Sequence, residues 1–361
     1  MRIVQLIDTL ETGGAERMAV NYANALSEVM GYTALVATRR GGALANQINE
    51  KVKWTVLNKK STFDLKAIYK FYKFCKSNQI DWIHAHSSSF FLAVIIKLFL
   101  PKIKILWHDH YGTKEELKNH QLFILKLCQS FLNLIVVVNQ NLKTWNEQNL
   151  KHKKVYYLPN FSPVVIDLKK STILNGEGSK RILCLANLRH QKNHDLLLKV
   201  AKEIQQLHDK WSFHLVGTDY QDDYSKHLKN QIEKLELTQQ VFIYGAKEDT
   251  NAIISAVDIC VLTSKIEGLP VSLIEYGKHK KAVVCTAVGE IPNILTGDNG
   301  LLVPANDVAA FTTALTKLIE NPERRKKMGE NLYETVQNQF SEEKVIAHYL
   351  KLLMAFDKPK T

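Results

Sequence analysis

Short apolar runs alternate with longer amphipathic stretches from one end of this 361-residue chain to the other, and that rhythm limits the fold more than any other feature. In the first half the runs are Ile3–Ile7, Ala34–Thr38, Trp54–Leu57, Trp82–Ala85, Ile103–Trp107, Leu134–Val138 and Val155–Leu158. Their length and β-branched content predict buried strands. Between them Ala15–Val29, Asp64–Lys76, Lys114–Leu132 and Gln140–Asn149 carry the spacing of helices. Strand and helix in strict turn predict βαβ units and a parallel sheet. The rhythm stops at Leu158-Pro159-Asn160, and residues 159–180, with Pro159, Pro163, Gly176 and Gly178, read as a linker. It restarts with strands at Ile182–Ala186, Phe213–Val216, Val241–Tyr244, Ile259–Leu262, Ala282–Cys285 and Gly300–Leu302. Helices are expected at Lys192–Leu207, Asp223–Leu235, Pro270–His279 and Val308–Glu320. The expected fold is α/β: two tandem Rossmann-like, doubly wound domains, 1–158 and 181–340, facing a cleft. In such sheets ligands bind at the carboxyl ends of the strands, beside the topological switch point.

Composition narrows the class. With 45% hydrophobic and 23% charged residues the chain is globular, not a disordered tail or a disulfide scaffold. The formal charge of +12 is uneven: residues 1–158 hold 22 basic and 11 acidic side chains, and residues 159–361 hold 26 and 25. An anionic partner for the N-terminal half is one explanation, and a solvated lysine surface is the other. The run Phe90–Leu100 has eleven residues with Lys97 inside it, too short to span a bilayer, and reads as a buried helix. No secretory signal is read at the start, since Asp8 breaks the first apolar run. The scattered Cys75, Cys128, Cys184, Cys260 and Cys285 read as buried hydrophobes in a reducing cytoplasm.

Three loops carry residues suited to a phosphorylated ligand. After the first strand come Gly13 and Gly14 at a helix start, where backbone can approach an anion closely. A tight turn needing positive φ explains the pair equally well. A nicotinamide fingerprint does not fit, because the spacing is not G-x-G-x-x-G. Arg189 and Lys192 lie between a strand and a helix in the second half, where two cations could balance a diphosphate without a metal. Chance basic residues in a solvated loop remain the alternative there. In LTSKIEGLPVSLIEYGK, Glu267 and Glu275 are separated by seven residues, with Gly268, Leu269 and Pro270 between them. A Ser264–Glu267 capping box is possible, but it would bury Pro270 in the first turns. With Pro270 at the first helical position instead, Glu267 is a loop carboxylate and Glu275 sits about 7–8 Å along the helix. A carboxylate accepting two hydrogen bonds suits a sugar diol.

The segment resembles the E-x7-E signature of retaining GT-B glycosyltransferases of the family-four group. GGAER at 13–17, HAHS at 84–87, NLRHQKN at 187–193, HLVG at 214–217, SKIEGLPVSLIE at 264–275 and NGLLVP at 299–304 are similar to that family's landmarks, in order along nearly the whole chain. The resemblance implies that Glu275 binds the nucleotide ribose. It implies that Glu267, Gly268, Leu269 and Pro270 hold donor sugar and diphosphate, and that Arg189 and Lys192 neutralise the departing diphosphate. Gly14 would let the N-terminal domain close over the donor phosphates, with Gly13 beside it among the donor-binding residues. A histidine near the anomeric carbon falls on His108 or His110, and His110 is preferred because it lies past the strand end. His84 and His86 are assigned to the cleft wall. A C-terminal helix within 341–361 is expected to cross back to the first domain. The sequence departs from the family pattern at Asn293, Asn187 and Asp219, where a glutamate, an arginine and a second glycine are usual.

What the resemblance implies is a retaining, metal-independent hexosyl- or N-acetylhexosaminyl-transferase, with UDP-sugar the favoured donor and a glycan or lipid-linked acceptor. The setting would be bacterial surface polysaccharide assembly. No cofactor and no nucleic acid are expected, and the location is cytoplasmic or peripheral on the inner face of the cell membrane. The lysines at 51, 53, 59, 60, 66, 70, 73 and 76, with Phe71, Tyr72 and Phe74 among them, suit an anionic membrane surface. A sugar-nucleotide epimerase of GT-B-like fold and a basic nucleic-acid-binding protein are the rival readings.

Overall fold

Strand-to-strand pairing is parallel throughout, in two separate sheets. A computed structural model describes residues 1–111, 117, 119–163 and 171–357. The chain divides into two compact units, Met1–Pro163 with Glu342–Thr361, and Val164–Ser341.

The first unit runs β1 (Ile3–Thr9), α1 (Gly14–Val29), β2 (Thr33–Arg40), β3 (Lys53–Val56), α2 (Leu65–Ser77), β4 (Trp82–His86), α3 (Phe90–Phe99), β5 (Lys104–Asp109), α4 (Asn119–Cys128), β6 (Leu134–Val137), α5 (Gln140–Asn149) and β7 (Val155–Tyr157). Its sheet has the order β3-β2-β1-β4-β5-β6-β7. The order reverses between β1 and β4, so right-handed crossovers place α1 on one face and α2, α3 and α4 on the other. The final helix, α13 (Glu342–Asp357), belongs to this unit and packs on α1. Tyr349 of α13 lies 5.0 Å, ring to ring, from Tyr22 of α1, and the indole of Trp82 donates to Asp357.

The second unit runs β8 (Arg181–Leu185), α6 (His194–Leu207), β9 (Ser212–Val216), α7 (Asp223–Lys234), β10 (Val241–Gly245), α8 (Thr250–Ser255), β11 (Ile259–Leu262), α9 (Val271–Lys278), β12 (Ala282–Thr286), α10 (Ile291–Ile294), β13 (Leu301–Val303), α11 (Val308–Ile319) and α12 (Pro322–Gln339). The order β10-β9-β8-β11-β12-β13 puts its switch point between β8 and β11. Both sheets are buried on two faces, which is why their strands read as continuous apolar runs. All five cysteines are buried and unpaired.

Two expectations need amendment, while the expected linker 159–180 contains the boundary between the two units. The segment 159–180 is held at both of its described ends. Phe161 is buried against Tyr22, and its carbonyl accepts from Asn21, while Ser171 and Thr172 donate to Asp249 of the second unit. Residues 164–170 lie outside the described residues, as do 112–116 and 118 of the helix expected over Lys114–Leu132. The helix α3, expected to be buried, leaves Leu98 and Phe99 over 60% exposed, whereas Phe71, grouped with the interfacial lysines, is fully buried.

Candidate functional site

In the second unit the loops after β8 and β11 flank the switch point, and they carry most of the residues singled out above. Backbone and side chains stitch the two loops together: Lys265 N–H donates to Gln191 O at 2.8 Å, and the Thr263 hydroxyl donates to Lys192 O at 2.9 Å. Across this seam the Lys192 ammonium meets Glu267 Oε1 at 2.5 Å, and the Ser264 hydroxyl donates to the same oxygen at 2.6 Å. Ser264 and Glu267 therefore pair by their side chains without forming a helix cap. Glu267 is 7% exposed and Lys192 27%, so the ammonium is the member of the pair with more access to solvent.

Glu267 is fixed from below as well. Gly289, with φ of +58°, brings the loop after β12 so close that a Cβ there would stand 2.1 Å from the Glu267 carbonyl. Glu290 N–H then donates to Gly268 O at 2.9 Å. Only glycine meets both the left-handed φ and the contact. Asn293, at the variant position, donates to Glu290 at 2.7 Å.

Pro270 is the N-cap of α9 and not its first helical residue, so the helix starts at Val271. The shift follows from backbone geometry, since Pro270 has ψ of 121° and is still extended. Leu269 and Pro270 are buried, and Glu275, buried on α9, lies one turn and a little more along the helix. The helix is anchored to β8 by Tyr276, whose hydroxyl accepts from Leu185 N–H at 2.7 Å. Arg189 is exposed and is held by Tyr220, which it covers at 4.8 Å from the ring centre and to whose hydroxyl it donates. Tyr220 escaped the sequence reading because nothing in the local pattern places it under Arg189. Asn187 accepts from Thr218 N–H at 2.8 Å, and Asp219 pairs with Lys229 at 2.7 Å.

In the first unit the turn after β1 carries Gly13 and Gly14 at the start of α1. Gly13 is extended, with φ of −164°, and neither glycine has positive φ, so the tight-turn explanation falls away. A Cβ on Gly14 would meet nothing within 4 Å, which leaves open space over the helix start.

Four histidines stack on one face of β4 and β5, and the alternation along both strands accounts for it. His84 and His86 lie 4.1 Å apart, ring to ring, and His108 and His110 3.9 Å. His84 shares hydrogen bonds with His108 at 3.1 Å and Tyr349 at 3.2 Å. His86 donates through Nε2 to Gln5 Oε1 at 2.8 Å and shares a 2.9 Å hydrogen bond through Nδ1 with His110 Nε2. An amide oxygen only accepts, so His86 keeps its proton on Nε2 and accepts at Nδ1. His110 is then protonated at Nε2, and its Nδ1 is left with the lone pair. Burial holds His84, His86 and His108 well below the usual imidazole range, with neighbouring imidazoles adding to the effect, and pushes His110 down to about 3. His84 and His86 are fully buried, His84 beside Tyr22 and Tyr349 and His86 beside Tyr22, and form no open wall, contrary to expectation. His110 is only partly buried at the strand end, next to exposed Tyr111. The ring nitrogens of His84, His86 and His108 fall within 4.8 Å of one another, the spacing of a candidate metal-ligand set. Both nitrogens of His84 and of His86 are engaged in hydrogen bonds.

Residues 12–162 match glycosyltransferase family 4, and residues 166–335 match the glycosyl transferases group 1. The chain belongs to the GT-B glycosyltransferases of family four. The amylovoran biosynthesis glycosyltransferase AmsD of Erwinia amylovora is 23% identical over 90% of this chain and 92% of its own. A Campylobacter jejuni α-1,4-N-acetyl-D-galactosaminyltransferase acting on an undecaprenol-linked glycan is 23% identical over 98% of both. Among solved structures, Anabaena HepE in complex with UDP and glucose superposes with a TM-score of 0.84 at 18% identity, covering 98% of this chain and 99% of that one. At that identity the likeness concerns the fold. The glycosyltransferase family thus has the two-sheet frame described above, with the E-x7-E segment of this chain at its second switch point. Among the described residues, no helix is long and apolar enough to cross a membrane.

Proposed function

We propose that this glycosyltransferase moves a hexosyl or N-acetylhexosaminyl group from a UDP-sugar to a glycan or lipid-linked acceptor, with retention of configuration and without a metal ion. The observation that carries the reading is the Lys192–Glu267 pair at the switch point, with Glu275 on the helix that follows. A diphosphate accepting hydrogen bonds from Lys192 and Arg189 has its developing charge balanced by two cations, the task a divalent ion performs elsewhere. Glu267 orients Lys192 and, with the backbone of Gly268, Leu269 and Pro270, faces the donor sugar. Glu275 accepts from the ribose diol. The bond from the anomeric carbon to the phosphate oxygen breaks, the acceptor oxygen bonds on the same face, and its proton passes to the departing phosphate. His110, neutral and with its lone pair at Nδ1, is a hydrogen-bond acceptor for a donor-sugar hydroxyl. Gly13 and Gly14 contribute N–H groups and room for a phosphate. The named roles of AmsD and the Campylobacter enzyme support a place in bacterial surface polysaccharide assembly, and UDP in HepE supports the donor base.

Thermal stability with UDP, GDP, ADP or CMP, each in excess chelator, tests the donor site. A ligand that binds the folded state raises stability with the logarithm of its concentration over Kd. Stabilisation by UDP that disappears in Glu275→Ala is expected. No response to any of the four, or an undiminished response in the variant, would overturn the reading.

A further inference from the structure

The first strand carries one polar residue that burial alone does not explain. In β1, Gln5 is 0% exposed among Ile3, Val4, Leu6 and Ile7. A buried amide has two N–H donors and an acceptor oxygen to satisfy, and an unmet donor destabilises the fold. Gln5 Nε2 comes beside the Tyr349 hydroxyl without reaching hydrogen-bond geometry. Its oxygen is the part in use, accepting from His86 Nε2 at 2.8 Å. An apolar side chain of the same length would fill β1 without the unmet donor, so the contact with His86 is what calls for glutamine here.

Sheet order brings the contact about. β1 and β4 are neighbours across the switch point, with Gln5 level with His84, and His86 lies two residues further along β4, level with His108 of β5. Gln5 therefore reaches His86 on the diagonal, and His86 reaches His110 at the end of β5 at 2.9 Å. These two contacts use both ring nitrogens of His86, and burial keeps the ring neutral, with a single proton to place. The Gln5 oxygen only accepts, so that proton sits on Nε2 and Nδ1 accepts from His110 Nε2–H. His110 Nδ1 is left as a lone pair. Were the Gln5 amide turned over, each hydrogen bond in the row would reverse and His110 would present an N–H instead. A group at the buried end of the row thus decides what the strand end offers a ligand.

We propose that Gln5 is a positioning residue: through His86 it fixes His110 as a hydrogen-bond acceptor, and so selects a donor sugar that presents a hydroxyl or amide N–H to His110 over one that presents only lone pairs. Gln5 and His86 are fully buried and act on the sugar through His110 alone. The selection rests on the proposed place of His110 beside the donor sugar. The proton positions are a property of the protein without ligand, so the two can fail separately.

Long-range proton–nitrogen correlation spectra of the full chain labelled with ¹⁵N-histidine read each tautomer, and His110 is assigned by the signal lost in His110→Gln. The wild-type protein is expected to show His110 protonated at Nε2 and bare at Nδ1. Gln5→Glu matches the amide in size and should reverse the row. A buried carboxylate without a cation is costly, so it shares a proton with His86 Nε2. His86 then donates through Nδ1, and His110 carries its proton at Nδ1. With that reversal, release of UDP from UDP-glucose or UDP-N-acetylglucosamine, whichever the wild type turns over faster, should slow about ten-fold, the worth of one hydrogen bond. Thermal stabilisation by UDP, which has no sugar to meet His110, should stay as in the wild type. Gln5→Met keeps the length and removes the acceptor, so both tautomers of His110 should appear together, and it stands in if the carboxyl variant does not fold. A wild-type His110 protonated at Nδ1, or a His110 tautomer that neither variant changes, overturns the proposal. A reversed tautomer with undiminished UDP release overturns the selection. Absence of UDP stabilisation in the wild type refutes the donor site instead and takes the selection with it, while the proton positions stand.

Discussion

Acid should destabilise the first unit far more than its surface charges alone would. His84, His86 and His108 are wholly buried and neutral, with their proton affinity held well below that of a free imidazole by burial. In the unfolded chain each titrates near about 6.5. The folded value is the depressed one, so the unfolded state takes up protons first and stability is lost as pH falls below that unfolded value. Between pH 7.5 and 5.5 one such group contributes about 1.4 kcal/mol of destabilisation, and three contribute about 4 kcal/mol. His110, partly exposed at the strand end, adds to this in the same direction. A domain holds only about 5–15 kcal/mol in all. Urea unfolding followed by tryptophan fluorescence isolates the effect, because Trp54, Trp82, Trp107 and Trp145 lie in the first unit and only Trp211 in the second. At an m-value of about 2–3 kcal/mol/M the midpoint should fall by roughly 1.3–2 M over those two pH units. Moderate salt in both buffers suppresses the general repulsion of a basic chain. The variant His108→Asn starts from lower stability but should lose about 1.4 kcal/mol less over the same range. A midpoint that moves by less than about 0.3 M, or an identical pH dependence in the variant, would show that the histidines are protonated in the fold or not enclosed by it.

The donor-side loops yield further expectations. Lys192→Met should lower turnover by about 10²–10³-fold, while Lys192→Arg keeps a measurable part of it. Because Glu267 is buried and would lose its cation, the stability cost of Lys192→Met should be about 1–3 kcal/mol, read from thermal melts. Gly289→Ala places a Cβ against the Glu267 carbonyl at a left-handed φ. It should cost more than about 2 kcal/mol and weaken UDP stabilisation, whereas Gly14→Ala, with open space around it, should leave the melting temperature unchanged and affect turnover only.

How much of this was legible in the sequence depends on whether the cause is local or long-range. Strands with both faces covered are largely apolar, so the runs at Ile3–Ile7, Gln5 apart, and Ile259–Leu262 identify themselves. The E-x7-E segment is also local: Pro270 and two carboxylates in one turn and one helix fix their own spacing, and the error was a single position at the helix start. Partners brought by other strands leave no such trace. Tyr220 under Arg189, Gly289 beneath Glu267, and Gln5 and Tyr349 closing the histidine stack come from elements 22 to 265 residues away, and only the sheet order unites them. Exposure was misjudged for a related reason. Hydrophobic runs such as Phe90–Leu100 imply burial on average, yet Leu98 and Phe99 in the last turn of α3 stand exposed. The same composition that makes α3 look like core therefore leaves its uncovered end exposed beside the lysines of α2.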